Sequence, residues 1–208
     1  MITALDAEGR HENPNSGTQA LEQQAFSVSI VVPTLNNAAT IRKCLESISR
    51  IDFPRKNVQV VLVDGGSTDG TRRIAEDFPV EVVDEPKKLR GATYNRGLKT
   101  ARNEYVAFVD GDGFVSSNWL REGLKIFTAD PACAAVYFPS EIPSDVTILQ
   151  RAIGVYQLKG KLIAVDSQEH AGTGANGAIF RRENIEYVGG FDESLTYGQE
   201  RELDSRLR

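Results

Sequence analysis

Two carboxylates one residue apart, Asp110 and Asp112, follow the apolar run Tyr105-Val-Ala-Phe-Val109. At an exposed strand end both can face one divalent cation. Hard oxygen donors suit Mg2+ or Mn2+, which keep open positions for phosphate oxygens. The same Asp-Gly-Asp pattern also serves turns in which the residues only shape the backbone. An EF-hand calcium loop does not fit, because Phe114 and Arg121 stand where it needs oxygen ligands.

A second polar cluster, Asp64-Gly-Gly-Ser-Thr-Asp-Gly70, also ends an apolar run. Its glycines admit a ligand close to the backbone, and a helix beginning there presents free N–H groups to it. Helix capping by Thr68 or Asp69 is the structural alternative. Neither G-x-G-x-x-G nor G-x-x-x-x-G-K-[ST] occurs, so the dinucleotide and P-loop fingerprints are missing. Gln199-Glu-Arg-Glu-Leu-Asp204 is a charged helix start, whose simplest role is a solvated face with acids complementing the helix dipole. The two histidines, His11 and His170, form no H-E-x-x-H pair, and the surface is the default place for His170.

The elements that must position these groups alternate. Ser27–Pro33, Val58–Val63, Val80–Val83 and Tyr105–Val109 read as buried strands. Between them Ala38–Ile51, Thr71–Asp77 and Ala92–Ala101 read as helices, with Ile41, Leu45, Ile48 and Ile51 at helical spacing in the first. Strand–helix alternation implies right-handed crossovers and a mainly parallel sheet, in which ligands bind beyond the carboxyl ends of the strands. Pro33 to Asn36, Asp64 to Asp69 and Asp110 to Asp112 all sit at such ends, so topology gathers them at one edge. Further on, Ser117–Ala129 reads as a helix, Ala134–Phe138 as a strand and Thr147–Val165 as an amphipathic helix. Ala178–Phe180 reads as a strand, Arg182–Val188 as a helix, and a last helix starts at Gln199.

The chain has 208 residues, a size at which about 150 residues per domain suggests one large domain or two small ones. Its 24 basic and 29 acidic side chains give a net charge of −5, with no electrostatic reason to expect nucleic acid as a partner. Cys44 and Cys133 lie outside any C-x-x-C pair and read as buried thiols. No apolar run reaches the ~18 residues of a membrane span, and residues 1–26 read as a polar tail without a signal-peptide core. The cytoplasm is the default expectation. The sequence stops at Arg208 inside a helical pattern, which suggests a further C-terminal part.

Taken in order, seven segments resemble a family 2 glycosyltransferase of the GT-A fold: Ile30–Asn36, Val63–Thr71, Gly91–Gly97, Phe108–Asp112, Gly174–Asn176, Gly189–Glu193 and Gly198–Glu200. The resemblance implies one α/β domain at 27–208, a Rossmann-like, mainly parallel sheet flanked by helices. Its nucleotide-binding half would run to about 113 and its acceptor half from about 114. The implied activity is inverting transfer of a sugar from a nucleoside-diphosphate sugar to an acceptor hydroxyl, assisted by Mg2+ or Mn2+. The acceptor would be a glycan, a lipid-linked molecule or a small molecule. Pro33, Thr34, Asn36 and Asp64 would surround the base and ribose, and Arg90 and Asn95 the nucleotide or diphosphate. Asp110, also a nucleotide contact, and Asp112 match the metal motif. Gly174, Ala175 and Asn176 would line the donor-sugar and acceptor side, and Glu200 stands where the family places its catalytic base.

Three positions depart from that pattern: Gly65 where many members have Asp, Tyr94 where Arg is frequent, and Gln199-Glu200 in place of Glu-Asp. Two other readings stay open. A sugar-nucleotide pyrophosphorylase shares the architecture but usually opens with a Gly-rich, basic loop, whereas Pro33-Thr-Leu-Asn-Asn37 has neither Gly nor Lys. A non-catalytic, transferase-like binding module is the other. Acceptor specificity is expected in Ser140 to His170. The apolar face of Thr147–Val165, with Arg151, Lys159 and Lys161, would suit peripheral contact with the cytoplasmic membrane face.

Overall fold

The computed structural model describes residues 26–137 and 177–207. Six strands form one sheet: β1 (Val28–Thr34), β2 (Val58–Asp64), β3 (Glu81–Asp84), β4 (Tyr105–Phe108), β5 (Ala135–Val136) and β6 (Ala178–Arg181). Their order is β3-β2-β1-β4-β6-β5. The first four are mutually parallel, with Thr34 level with Asp64 and Val31 level with Phe108. The sheet is therefore mainly parallel, as expected, but β6 runs antiparallel to β4 and β5 antiparallel to β6.

Six helices cover it: α1 (Ile41–Ser49), α2 (Thr71–Ala75), α3 (Arg90–Thr100), α4 (Trp119–Ala129), α5 (Arg182–Tyr187) and α6 (Gln199–Leu207). None is long and apolar enough to cross a membrane. Side chains alternate across the strands, so Val28, Ile30 and Val32 face one way with Ile41, Leu45, Trp119 and Leu124. Val31, Val61, Val106 and Phe108 face the other, against Leu98 of α3, Ile185 of α5 and Leu203 of α6. Burial on both faces is why the central strands are continuous apolar runs rather than alternating ones.

The differences from the sequence expectations have local causes. α1 starts at Ile41 rather than Ala38, because the Asn37 carbonyl accepts the N–H of both Thr40 and Ile41 in a tight turn. Phe26, expected in the tail, is buried and packs edge-on to Tyr105, so the core begins one residue earlier. Both cysteines are free; Cys44 is buried and Cys133 half-buried. The expected helix at Thr147–Val165, His170 and the segment Ser140 to Asn176 lie outside the described residues.

α3 sits unusually close to β1. A Cβ on Gly97 would fall 2.1 Å from Val31 Cγ1, a distance that forces one of them to move. Gly97→Ala is therefore expected to lower the unfolding free energy by about 1–3 kcal/mol through overpacking. Denaturant melts of the two proteins measure this directly, and equal midpoints would mean that α3 can lift from the sheet without cost.

Candidate active site

The chain reverses direction across the sheet between β1 and β4, and a crevice opens beyond the carboxyl ends of those two strands. Here lies a cleft of 330 Å³. Pro33, Thr34 and Leu35 come from the end of β1, Gly65 from the end of β2, and Asp110, Gly111 and Asp112 from beyond β4. Lys88, Leu89, Arg90 and Thr93 close the opposite wall from the start of α3, and Asn37 completes the lining.

The end of β1 is fastened to the loop after β2. Asn36 adopts φ 53° and accepts the Thr68 N–H at 2.9 Å, while its own N–H donates to Ser67 Oγ at 2.9 Å. Asp64 is buried, and its carboxylate accepts the Ser67 N–H at 3.0 Å. Neither residue lines the cleft; both fasten the loops beside it. Thr34 donates its hydroxyl to Asn37 Oδ1 at 2.8 Å, which ties down the loop that carries Leu35.

Four side chains meet where Arg90 and Asp110 line the cleft. The Arg90 guanidinium donates to Asp110 Oδ2 at 3.0 Å and to the Tyr94 hydroxyl from Nε at 3.1 Å and Nη2 at 2.8 Å. Tyr94 donates to Asp110 Oδ1 at 2.9 Å. Glu200 Oε1 lies 3.4 Å from both the Tyr94 oxygen and Arg90 Nη2, with the Glu200 side chain 14% exposed. Burial raises the Asp110 carboxyl above its ordinary range, although Arg90 and Tyr94 oppose the rise. Burial and the Asp110 charge push the Tyr94 hydroxyl well up, so it stays protonated as a donor. Burial pulls the Arg90 guanidinium down, but Tyr94 and Asp110 outweigh it and hold the cation more firmly than usual.

Asp112 differs from Asp110. It is exposed on the cleft wall, and among the described residues it has no hydrogen-bond or ion-pair partner. No three carboxylate, histidine or cysteine side chains among the described residues converge on a cage. The donor set fits a hard cation shared with a substrate's phosphates, which Mg2+ and Mn2+ favour. The nearby Cys44 thiol, which donates to the Asp110 carbonyl, is pushed up to about 12 by burial and by Asp110 and Asp112.

Asn95 is not in the cleft. Its amide donates to the Phe191 carbonyl at 2.8 Å and to Glu193 Oε1 at 3.1 Å, and its oxygen accepts the Phe191 N–H at 2.8 Å. The expectation for Asn95 is a place near the nucleotide or diphosphate; in the structure its amide is engaged by Phe191 and Glu193 instead. The amide clamps the segment leading to α6, a long-range closure with no local signature. Gly91 lets that segment approach, since a Cβ there would lie 2.8 Å from the Asp192 carbonyl. Gly174, Ala175 and Asn176 lie outside the described residues. Asn37, Lys88 and Thr93 line the cleft and were not anticipated; the basic pair Lys87-Lys88, shortly after β3, was the available signal for Lys88.

Residues 29–189 match the family described as glycosyl transferase family 2. The chain belongs to that family. A relative, the succinoglycan biosynthesis protein ExoA of Rhizobium meliloti, is 31% identical over 201 residues, 89% of this chain and 59% of its own length. A mannosyltransferase of Pyrobaculum calidifontis, solved with GDP-Man and Mn2+, aligns with this family 2 chain at a TM-score of 0.67 and 28% identity. That alignment covers 86% of this chain and 51% of that one. S. aureus TarS with UDP-GlcNAc aligns at a TM-score of 0.64 and 23% identity, over 88% of this chain and 53% of that one. The fold of the family 2 chain is thus GT-A. It spans little more than half the length of these proteins.

Proposed function

We propose that the protein transfers a sugar from a nucleoside-diphosphate sugar to an acceptor hydroxyl, with inversion at the anomeric carbon. The observation that carries this reading is that Arg90 and Asp110 line a cleft at the sheet's switch point together with Asp112, and that Glu200 pairs with the same Arg90. Family membership favours the transferase over a pyrophosphorylase, and the complete cluster of acids favours an enzyme over a binding module.

The cleft divides by chemistry. Leu35 and Leu89 both line it, each nearly half exposed, and offer apolar surface to a nucleobase. Lys88 and Arg90 offer positive charge toward the diphosphate. Asp110 and Asp112 would hold Mg2+ or Mn2+, which when bound offsets the charge that builds on the departing diphosphate. An acceptor hydroxyl ionises far above neutral pH, so a positioned carboxylate must take its proton as the new bond forms. Glu200 has that place: it touches Arg90, which lines the cleft. One base acting on the acceptor, with no enzyme nucleophile in between, gives a single displacement and hence inversion. The acceptor is a glycan, a lipid-linked molecule or a small molecule, met from the cytoplasmic side.

A melting-temperature comparison tests this. UDP-GlcNAc and GDP-Man, each with Mn2+ and with EDTA, are the donors to try, since solved proteins of this fold bind them. A donor at 100 times its dissociation constant should stabilise the protein by about 2.7 kcal/mol, a rise of several degrees. The rise should appear with Mn2+ and vanish in EDTA. No rise with either donor or with the free nucleoside diphosphates would sink the proposal.

A further inference from the structure

Tyr94 is fully buried, with its ring stacked on Phe191 at a centroid distance of 4.6 Å and edge-on to Phe108 at 5.2 Å. Two neighbours from different elements therefore fix the ring, and with it the position of the phenol oxygen. That oxygen is the point where Arg90, Asp110 and Glu200 meet. A phenol has one proton to give and two lone pairs with which to accept. Arg90 fills the acceptor side with two N–H groups, which sets the plane of the guanidinium. The proton goes to Asp110 at 2.9 Å, with Glu200 in longer reach at 3.4 Å.

Glu200 depends on this arrangement. The contacts its carboxylate makes with described residues run to the Tyr94 oxygen and to the guanidinium that Tyr94 orients. Glu200 and Asp110 are like charges, and Arg90, held at the i−4 position of the same helix as Tyr94, stands between them. We infer that Tyr94 is a positioning residue, which holds the Glu200 carboxylate ready for the acceptor by fixing Arg90 between Glu200 and Asp110. This rests on the reading of Glu200 as the base.

A double-mutant cycle tests it. Tyr94→Phe keeps the stacked ring and removes only the hydroxyl; Glu200→Gln removes the base. The parent, the two single variants and the double variant are compared for nucleoside diphosphate release from UDP-GlcNAc or GDP-Man, with water as the acceptor hydroxyl. Donor affinity is followed by calorimetry and folding by thermal melts. Tyr94→Phe is expected to lower kcat about tenfold in the parent, the scale of one hydrogen bond to a charged group. In the Glu200→Gln background the same change should have almost no effect, because residues that act as a unit are not additive. An equal loss in both backgrounds, or no loss in the parent, would overturn the inference and leave the base reading intact. Parental turnover by Glu200→Gln alone would remove the base reading, and the inference with it. Should Tyr94→Phe melt below the assay temperature, Arg90→Lys breaks the same fork and is expected to show the same coupling to Glu200.

Discussion

Glu200→Gln should release nucleoside diphosphate from its donor about 10²–10⁴-fold more slowly than the parent, while binding that donor almost as well. Gln has the same length and can keep its oxygen beside the Arg90 guanidinium, so the cluster stays assembled. It cannot take a proton. The other acids of α6 are poor substitutes for Glu200. Glu202 is engaged by Arg206 through two bonds of 2.5 Å, and Asp204 lies one turn further along the helix. Steady-state turnover beside calorimetric affinity separates the two effects. Parental turnover in Glu200→Gln together with a dead Asp204→Asn would show that the wrong carboxylate has been assigned.

Asp112→Ala is expected to weaken the Mn2+-dependent binding of a nucleoside diphosphate by at least about 100-fold, since even groups behind a metal ligand commonly matter tenfold or more. Asp112 is exposed and has no partner among the described residues, so its removal should leave the melting temperature in place. Treating the parent with EDTA should reproduce the loss. Asp110→Ala provides the contrast. It strips Arg90 and Tyr94 of an acceptor in a buried place, and should therefore cost stability as well as binding. Binding by Asp112→Ala that is as strong in Mn2+ as in the parent would exclude this carboxylate from the metal site.

Most of the frame was legible because the parallel strands are buried on both faces. Val28-Ser-Ile-Val-Val32 and Val58-Gln-Val-Val-Leu-Val63 can hardly be anything else, and the acids directly after the strands had to fall at the sheet's carboxyl edge. The antiparallel entry of β6 was not legible, because nothing in Ala178–Arg181 states the direction in which it joins β4. The site divides in the same way. Asp110 and Asp112 owe their place to a strand end, a local matter. Asn95 and Asn36 owe theirs to partners 96 and 32 residues distant, so the same polar side chain could equally hold a ligand or a loop. Tyr94 was visible only as a departure from the usual Arg. Its meaning depends on Arg90 one turn earlier, which supplies the guanidinium from a different position.

Helix α3 does several tasks along 11 residues: it opens with Arg90, carries Tyr94 and Asn95 in its middle and rests on the sheet at Gly97. These tasks are locked to one another by the 100° step of the helix. Inserting or deleting a single residue between Arg90 and Gly97 would swing the cation and the phenol away from the carboxylates, or turn a bulky side chain into Val31. Loops around the cleft are not under this periodic constraint. The α3 segment is constrained differently: it can accept substitutions but not changes in length, so a lineage of such enzymes should show gaps on either side of it and none within.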